Sequence, residues 1–409
     1  MKSELILRNA KHISALVSLA KRRWCLCALA LAVGSTAAQA QTYTVLYSFT
    51  GGTNGDGSTP LGGLVRDSAG NLYGTTFYGG NLVDQSGGGT VFKLDTSGNE
   101  TVLHNFTGGT DGENPQGDLL RDAKVDLYGT TVNGGDLTCQ CGTVFELDAL
   151  GNETVLHRFT GGADGSHPYS GVIRDAGGNL YGTTRDGGAS GLGTVFKVTS
   201  AGKETILHSF TTSDGIYPQS RLIRDSAGNL YGTTTSGGAH NSGTVITLDG
   251  TGKRIRLFSF QPWNGSPNSP LVRDSAGNLY GSTCGGGTLD YGTAFEIVNS
   301  TNKRSQLFSF GTTEGACPGG HIAMDSAGNL YGTTSLGYHA FGTVWELNIS
   351  SGVETVLYAF DAGDPAEGQA PVAGVIRDTA GNLYGTASSG GDLSCGSGLG
   401  CGVVFEVTP

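Results

Sequence analysis

The sequence is poor in basic residues and in long apolar segments, and each shortage excludes a class of partner. Its 409 residues include 24 Lys and Arg against 35 Asp and Glu. A chain with this excess of negative charge repels nucleic acid and anionic lipid, so neither is an expected partner. No apolar run of about 18 residues follows position 41, so we expect no membrane span.

Signatures of catalysis and of cofactor binding are also missing. The chain has no G-x-S-x-G elbow, no H-E-x-x-H motif, no P-loop and no S-x-D-x-G-x-T-W box of the sialidase type. It has no D-x-[DN]-x-[DN]-G ladder for calcium either. We therefore expect no cofactor and no metal, and an enzymatic function has no specific motif in its support.

The first 40 residues have the composition of an export signal. Six Lys and Arg within residues 1–23 precede an apolar run from Trp24 to Val33, and Ala38-Gln39-Ala40 has the small-x-small form of a cleavage site. We predict a signal peptide over 1–40, by the Sec or the Tat route, and a secreted chain beginning at Gln41. Its removal leaves 18 basic and 34 acidic residues, a net charge of −16.

Glycine is abundant, at 71 residues, and it accompanies a motif that recurs seven times. The tyrosine of Leu-Tyr-Gly returns after about 52 residues on average, a spacing typical of propeller blades. Each unit holds four short β-prone runs separated by glycine-rich turns. The seven tyrosines are Tyr73, Tyr128, Tyr181, Tyr231, Tyr280, Tyr331 and Tyr384.

The two ends of the chain predict how the repeats are joined. Residues 44–49 copy the fourth run of a unit with nothing before it, and residues 402–407 copy the third run with no fourth after it. Pairing these two strands would remove two exposed sheet edges. The sequence therefore predicts one all-β domain over 41–409, a seven-bladed β-propeller with four antiparallel strands per blade, closed by the N-terminal strand, and monomeric.

The unit D-x-x-G-N-L-Y-G-T-T … G-G … G-T-V-F-x-L, preceded by D-G-x-x-P, resembles the GloVer tandem repeat of choice-of-anchor bacterial proteins. The resemblance covers residues 43–409 and implies export and a repeat architecture, but no reaction and no catalytic residues. No sorting tail follows Pro409 in this sequence. We therefore expect free secretion, to the periplasm or the cell exterior, rather than a surface anchor.

A residue present in every repeat is expected to serve the blade itself. The aspartates that begin each Asp-x-x-Gly turn can accept backbone N–H bonds, and the preceding arginines suit packing or ion pairs between blades. His104, His157 and His208 share one position on the outer strand, where the copies diverge, so they cannot meet on one zinc ion. Binding should instead depend on the variable loops between the second and third strands and between blades.

Aromatic, acidic and basic residues collect in those loops, which we expect on one face. We predict a ligand site there for a glycan or a protein, formed by Tyr78, His167, Tyr169, Arg185, Tyr217, Trp263 and Tyr338. The alternative is a polysaccharide-active lyase or glycoside hydrolase with carboxylates at the channel mouth. Two close carboxylates with shifted pKa values would favour the enzyme, and aromatic residues alone would favour binding.

The six cysteines after residue 40 are an even number in an exported chain, which favours disulfides. Cys139 and Cys141 bracket one loop, and Cys395 and Cys401 bracket its copy, so we predict both of these pairs. A bridge across two residues is rare, and a reduced or metal-bound Cys139 and Cys141 remains open. Cys284 and Cys317 fall on one face of neighbouring blades, which predicts the third bond.

Overall fold

The computed structural model describes residues 41–51, 55–80, 87–337, 341–361, 364–395 and 398–408. The predicted signal peptide, residues 1–40, lies outside them. The described chain forms seven antiparallel sheets, one for each repeat, and strands within a blade are neighbours in sequence. The seven-bladed propeller that the repeats predict is confirmed.

The first strand, β1 (Thr42–Ser48), precedes blade 1. Blade 1 contains β2 (Val65–Arg66), β3 (Leu72–Thr76), β4 (Thr90–Leu94) and β5 (Glu100–Asn105). Blade 2 contains β6 (Leu120–Arg121), β7 (Leu127–Thr131), β8 (Thr143–Leu147) and β9 (Glu153–Arg158). Blade 3 contains β10 (Ile173–Arg174), β11 (Leu180–Thr184), β12 (Thr194–Val198) and β13 (Glu204–Ser209). Blade 4 contains β14 (Ile223–Arg224), β15 (Leu230–Thr234), β16 (Thr244–Leu248) and β17 (Arg254–Ser259).

Blade 5 contains β18 (Ser266–Pro267), β19 (Val272–Arg273), β20 (Leu279–Cys284), β21 (Thr293–Val298) and β22 (Lys303–Ser309). Blade 6 contains β23 (Ala316–Met324), β24 (Leu330–Leu336), β25 (Thr343–Asn348) and β26 (Val353–Ala359). Blade 7 contains β27 (Val375–Arg377), β28 (Leu383–Ala387) and β29 (Val403–Thr408). Short 3-10 helices lie at Pro262–Asn264 and Pro365–Glu367.

Strand β1 is the fourth strand of blade 7, as the ends of the sequence predict. It pairs antiparallel with β29, from Thr42 opposite Thr408 to Ser48 opposite Val403. The amide of Phe49 continues the ladder by donating to the carbonyl of Gly402 at 3.0 Å. The first and last strands of the described chain therefore share one sheet, and the ring closes without a free edge at this point.

The Leu-Tyr-Gly-Thr-Thr run forms the second strand, and its residues are buried in nearly every blade. Gly74 is required there because a Cβ at its position would lie 2.7 Å from the ring of Phe92 on the third strand. The threonine that ends the run is paired as well, since the hydroxyls of Thr76 and Thr90 are 2.8 Å apart in the interior. The same pairing recurs in other blades, for example between Thr184 and Thr194.

Neighbouring blades pack through aromatic rings. Phe49, at the end of β1, meets Phe92 of blade 1 edge to face at 5.1 Å between ring centroids. Phe106 and Phe145 repeat this contact between blades 1 and 2 at 5.1 Å. These phenylalanines are fully buried, so they form the core between blades.

The recurring arginine and tyrosine join the same neighbouring blades, and Tyr73 packs in one cluster with Phe106 and Phe145. The guanidinium of Arg121 lies 5.4 Å from the ring centroid of Tyr73 in the preceding blade, and Arg66 lies 5.3 Å from that of Tyr384 across the ring closure. The turn aspartates hold the tyrosines, as Asp67 accepts hydrogen bonds from Tyr73 and from the amides of Ala69 and Asn71. These residues therefore serve the scaffold, as the sequence analysis expected.

Each of three histidines on the outer strands lies close to an aspartate in the connection that follows its strand. His104, His157 and His208 lie 3.9, 3.5 and 2.9 Å from Asp111, Asp164 and Asp214. Over the described part of the chain, no helix is long and apolar enough to cross a membrane.

Candidate functional site

One face of the propeller carries the two sets of variable loops. Isolated bridges join the connection between blades to the loop between the second and third strands, for example Ser166 with Asp186 and Ile216 with Ser236. Both loop sets therefore lie on one face, which we call the loop face. Its centre is the mouth of the channel enclosed by the inner strands.

The connections between blades contain a residue in an unusual backbone conformation. The residue that precedes the proline of each D-G-x-x-P connection has a φ between +54° and +58° in six of the seven connections. Non-glycine residues rarely adopt this left-handed conformation, and such residues concentrate at functional sites. The six are Thr59, Asn114, His167, Tyr217, Cys317 and Ala370.

Four of the predicted site residues meet at the mouth, around Arg185. Its guanidinium lies 5.5 Å from the ring centroid of Tyr169 and 5.0 Å from that of Tyr217, which belongs to the connection into the next blade. Asp186 carries an oxygen 3.8 Å from this guanidinium and 3.2 Å from Nδ1 of His167. We call these five residues the mouth cluster.

The other predicted residues lie apart from the mouth cluster. Tyr78 is 44% exposed and packs edge to face on Phe77 at 4.7 Å. Trp263 lies in the 3-10 helix Pro262–Asn264 and is 70% exposed. Tyr338 lies outside the described residues. The six predicted residues that the structure describes are thus not one constellation, and the role of all seven in binding stays a prediction.

Below the mouth, the inner strands enclose a cavity of about 330 Å³. Its wall is formed mostly by the residues that lead into the inner strands, for example residues 116–118, 169–171 and 219–221. The upper level holds Tyr169 and three carboxamides, Gln116, Gln219 and Asn268. The channel is therefore polar but carries few charges at this level.

The lower level holds a charged group that the repeat motif does not contain. Asp118, Arg221 and His321 occupy one equivalent position, four residues before the turn aspartate. The other blades have glycine or proline there. The guanidinium of Arg221 extends past blade 3 and lies 3.8 Å from the carboxylate of Asp118. This carboxylate also accepts a hydrogen bond from the backbone amide of Gly63 at 2.6 Å.

The imidazole of His321 also lies at the lower level, and we call Asp118, Arg221 and His321 the floor residues. Burial lowers the pKa of His321. The neighbouring Asp118 opposes this effect, whereas Arg221 adds to it. Its Nδ1 is buried and has no hydrogen-bond partner among the described residues, and the same holds for Oδ1 of Asn268. All three floor residues also line a smaller adjoining cavity of about 40 Å³.

Sequence reasoning missed these floor residues, although a signal for them existed. The position four residues before the turn aspartate reads Gly, Asp, Gly, Arg, Pro, His, Gly through the seven blades. Such variation beside an otherwise regular motif marks side chains that the blade itself does not need.

Three disulfides hold loops of the loop face. The structure joins Cys139 to Cys141, Cys284 to Cys317 and Cys395 to Cys401. Cys317 is one of the six left-handed residues and lines the cavity, so its bond to Cys284 ties the mouth to blade 5. Within the described ranges, no group of three or more His, Cys, Asp or Glu side chains is arranged to hold a metal ion.

The fold and the site define a seven-bladed propeller with a polar channel open at its loop face. The chain belongs to the Gloeobacter/Verrucomicrobia repeat family, whose model matches residues 35–246 and 205–405. This match confirms the family resemblance drawn from the repeat motif. No curated protein matches the chain.

Solved structures resemble the chain in fold. The extracellular domain of a hybrid two-component system from B. thetaiotaomicron is 13% identical with a TM-score of 0.54, over 90% of this chain and 42% of that one. This chain thus spans less than half the length of that domain. A candidate 6-phosphogluconolactonase from Bacteroides uniformis is 16% identical with a TM-score of 0.48, over 73% of this chain and 83% of that one.

Proposed function

We propose that this protein is an exported binding protein that takes a glycan or a protein ligand on its loop face, at the mouth of the channel. The observation that carries the proposal is the position of Arg185 between the rings of Tyr169 and Tyr217. Aromatic rings and an arginine on a rigid scaffold are the groups that dominate binding surfaces.

The mouth cluster is suited to recognition because it is partly exposed and already ordered. The side chains of Arg185 and Asp186 are 36% and 29% exposed, and that of His167 is 33% exposed. The cation–π contacts and the pair of His167 with Asp186 hold the side chains before a ligand arrives. A site ordered in advance loses less conformational entropy on binding.

Export is part of the proposal. The N-terminal segment has the composition of a signal peptide, and three disulfides favour an oxidising compartment. The enzyme alternative requires two close carboxylates with shifted pKa values at the channel mouth. Asp186 of the mouth cluster pairs with His167 and Arg185 rather than with a second carboxylate, and Asp118 is the single carboxylate among the described residues that line the cavity. This arrangement favours binding over hydrolysis or lyase chemistry.

A glycan array and a pull-down from culture medium, both with the purified protein, test the proposal. Arg185→Ala and Tyr217→Ala should each weaken binding of the captured ligand about tenfold. Tyr291→Ala is the control, since Tyr291 is a partly exposed tyrosine of the loop face outside the mouth cluster. Unchanged affinity of both cluster variants would exclude the mouth as the site, and a reducing-sugar assay detects hydrolysis or lyase activity in parallel.

A further inference from the structure

The channel below the mouth has the size and lining of a separate small-molecule site. Its volume of about 330 Å³ lies at the lower end of the range for ligand pockets and admits one sugar ring rather than a chain. Gln116, Gln219 and Asn268 come from three different blades, and they share the lining with Leu61, Tyr169 and Val372. Each carboxamide can both donate and accept hydrogen bonds.

The charges of the channel compensate one another. Asp118 and Arg221 form an ion pair at 3.8 Å, with side chains only 15% and 21% exposed. His321, which faces this pair, has its pKa lowered by burial, so its imidazole is neutral near pH 7. With no uncompensated charge among the described lining residues, the channel disfavours an ion, which would lose its hydration without a counter-charge.

Three lining residues keep hydrogen-bonding capacity. Oδ1 of Asn268, Nδ1 of His321 and Nε of Arg221 are buried without a hydrogen-bond partner among the described residues. Buried polar atoms in folded proteins are nearly always paired, so these atoms point to a hydrogen-bonding guest. Tyr169, which belongs to the mouth cluster, adds an aromatic ring to the lining of the channel.

We propose that the channel binds a neutral, hydroxyl-rich ring, the terminal sugar of a glycan whose remaining residues lie on the mouth cluster. Hydroxyl groups both donate and accept, as the carboxamides and the imidazole require, and the apolar face of a sugar ring packs on an aromatic side chain. The inference rests on the proposed function and narrows its ligand to a carbohydrate.

Calorimetric titration of the protein with the methyl glycosides of glucose, galactose, mannose and N-acetylglucosamine tests it. At least one should bind with a stoichiometry of one. Gln219→Ala and Asn268→Ala should each weaken that binding about tenfold, the loss of one or two hydrogen bonds. Gln306→Ala removes an exposed carboxamide of the outer strand β22 and should leave the affinity unchanged.

The variant Arg185→Ala separates this inference from the proposed function. It should weaken a glycan captured on the array about tenfold, whereas Gln219→Ala and Asn268→Ala should weaken binding of the methyl glycosides as well. If the methyl glycosides do not bind, or if Gln219→Ala and Asn268→Ala bind them as the wild type does, the channel site is wrong. In that case the proposed function still holds if Arg185→Ala weakens binding of the captured ligand.

Discussion

Arg221 of blade 4 lies 3.8 Å from Asp118 of blade 2, so this ion pair passes over blade 3 inside the channel. Blade 3 carries Gly171 at the equivalent position, where a Cβ would lie 2.0 Å from the carbonyl oxygen of Asp118. The glycine therefore lets the backbones of blades 2 and 3 approach closely beside the pair. The channel of this propeller is asymmetric although its scaffold repeats seven times.

Arg221→Ala should lower the free energy of unfolding by about 1–3 kcal/mol, because it leaves the Asp118 carboxylate buried without its counter-charge. Arg254→Ala is the control, since Arg254 is 44% exposed and pairs with Asp214 at 3.7 Å. It should cost less than about 1 kcal/mol. Urea unfolding measures both, and equal costs would show that the channel pair has no special weight.

Deletion of residues 42–48 should expose β29 and cause aggregation, because the closing strand of blade 7 is then missing. Size-exclusion chromatography with light scattering and a thermal melt follow the change. A deletion variant that stays monomeric at the melting temperature of the full chain is incompatible with closure through β1.

The disulfides should differ in their weight on stability. The Cys284–Cys317 bond closes a span of 33 residues, and in the chain-entropy model such a loop contributes about 3–4 kcal/mol. The Cys139–Cys141 bond spans two residues and should contribute about 1 kcal/mol. Denaturant unfolding of the two double Cys→Ser variants compares them, and a larger loss for the Cys139–Cys141 variant would contradict the expectation.

Glu354 should make stability depend on pH. Burial, together with the carboxylate of Glu314, raises the pKa of Glu354 from 4.5 to about 8. The folded chain therefore holds this proton more tightly, and the resulting stabilisation is complete below pH 4.5 and is lost as the pH rises to 8.

Glu354→Gln keeps a neutral side chain at every pH. Its stability relative to the wild type should rise between about pH 5 and 8, by about 1 kcal/mol for this half-buried group. Burial lowers the pKa values of His104 and His157, so these histidines also make stability depend on pH. Both proteins contain them, so their contribution cancels when the two stabilities are subtracted. A difference that stays constant over this range would contradict the raised pKa.

Trp263 distinguishes a ligand that extends over the loop face from one confined to the mouth. The side chain is 70% exposed in the connection between blades 4 and 5. Trp263→Ala should weaken the binding of a long glycan by about three- to tenfold while leaving the melting temperature of the protein unchanged. Surface plasmon resonance with short and long forms of the captured glycan measures the effect. If the variant and the wild type bind the long form with equal affinity, Trp263 is not part of the site.

The scaffold could be predicted from the sequence because each blade repeats the same physical requirements. The glycine opposite Phe92, the paired threonines and the turn aspartates recur, so their spacing defines strands and blades. The mouth cluster could be predicted only in part. The contact of Arg185 with Tyr217 depends on the left-handed backbone of Tyr217, which the loop sequence does not reveal.

A crystal structure of the protein with the glycan that binds most tightly on the array tests the central claim most directly. We predict ligand density on the loop face in contact with Tyr169, Arg185 and Tyr217, with one sugar ring between Gln219 and Asn268 in the channel. Density on the opposite face, or on the outer strands of the blades, would contradict the account.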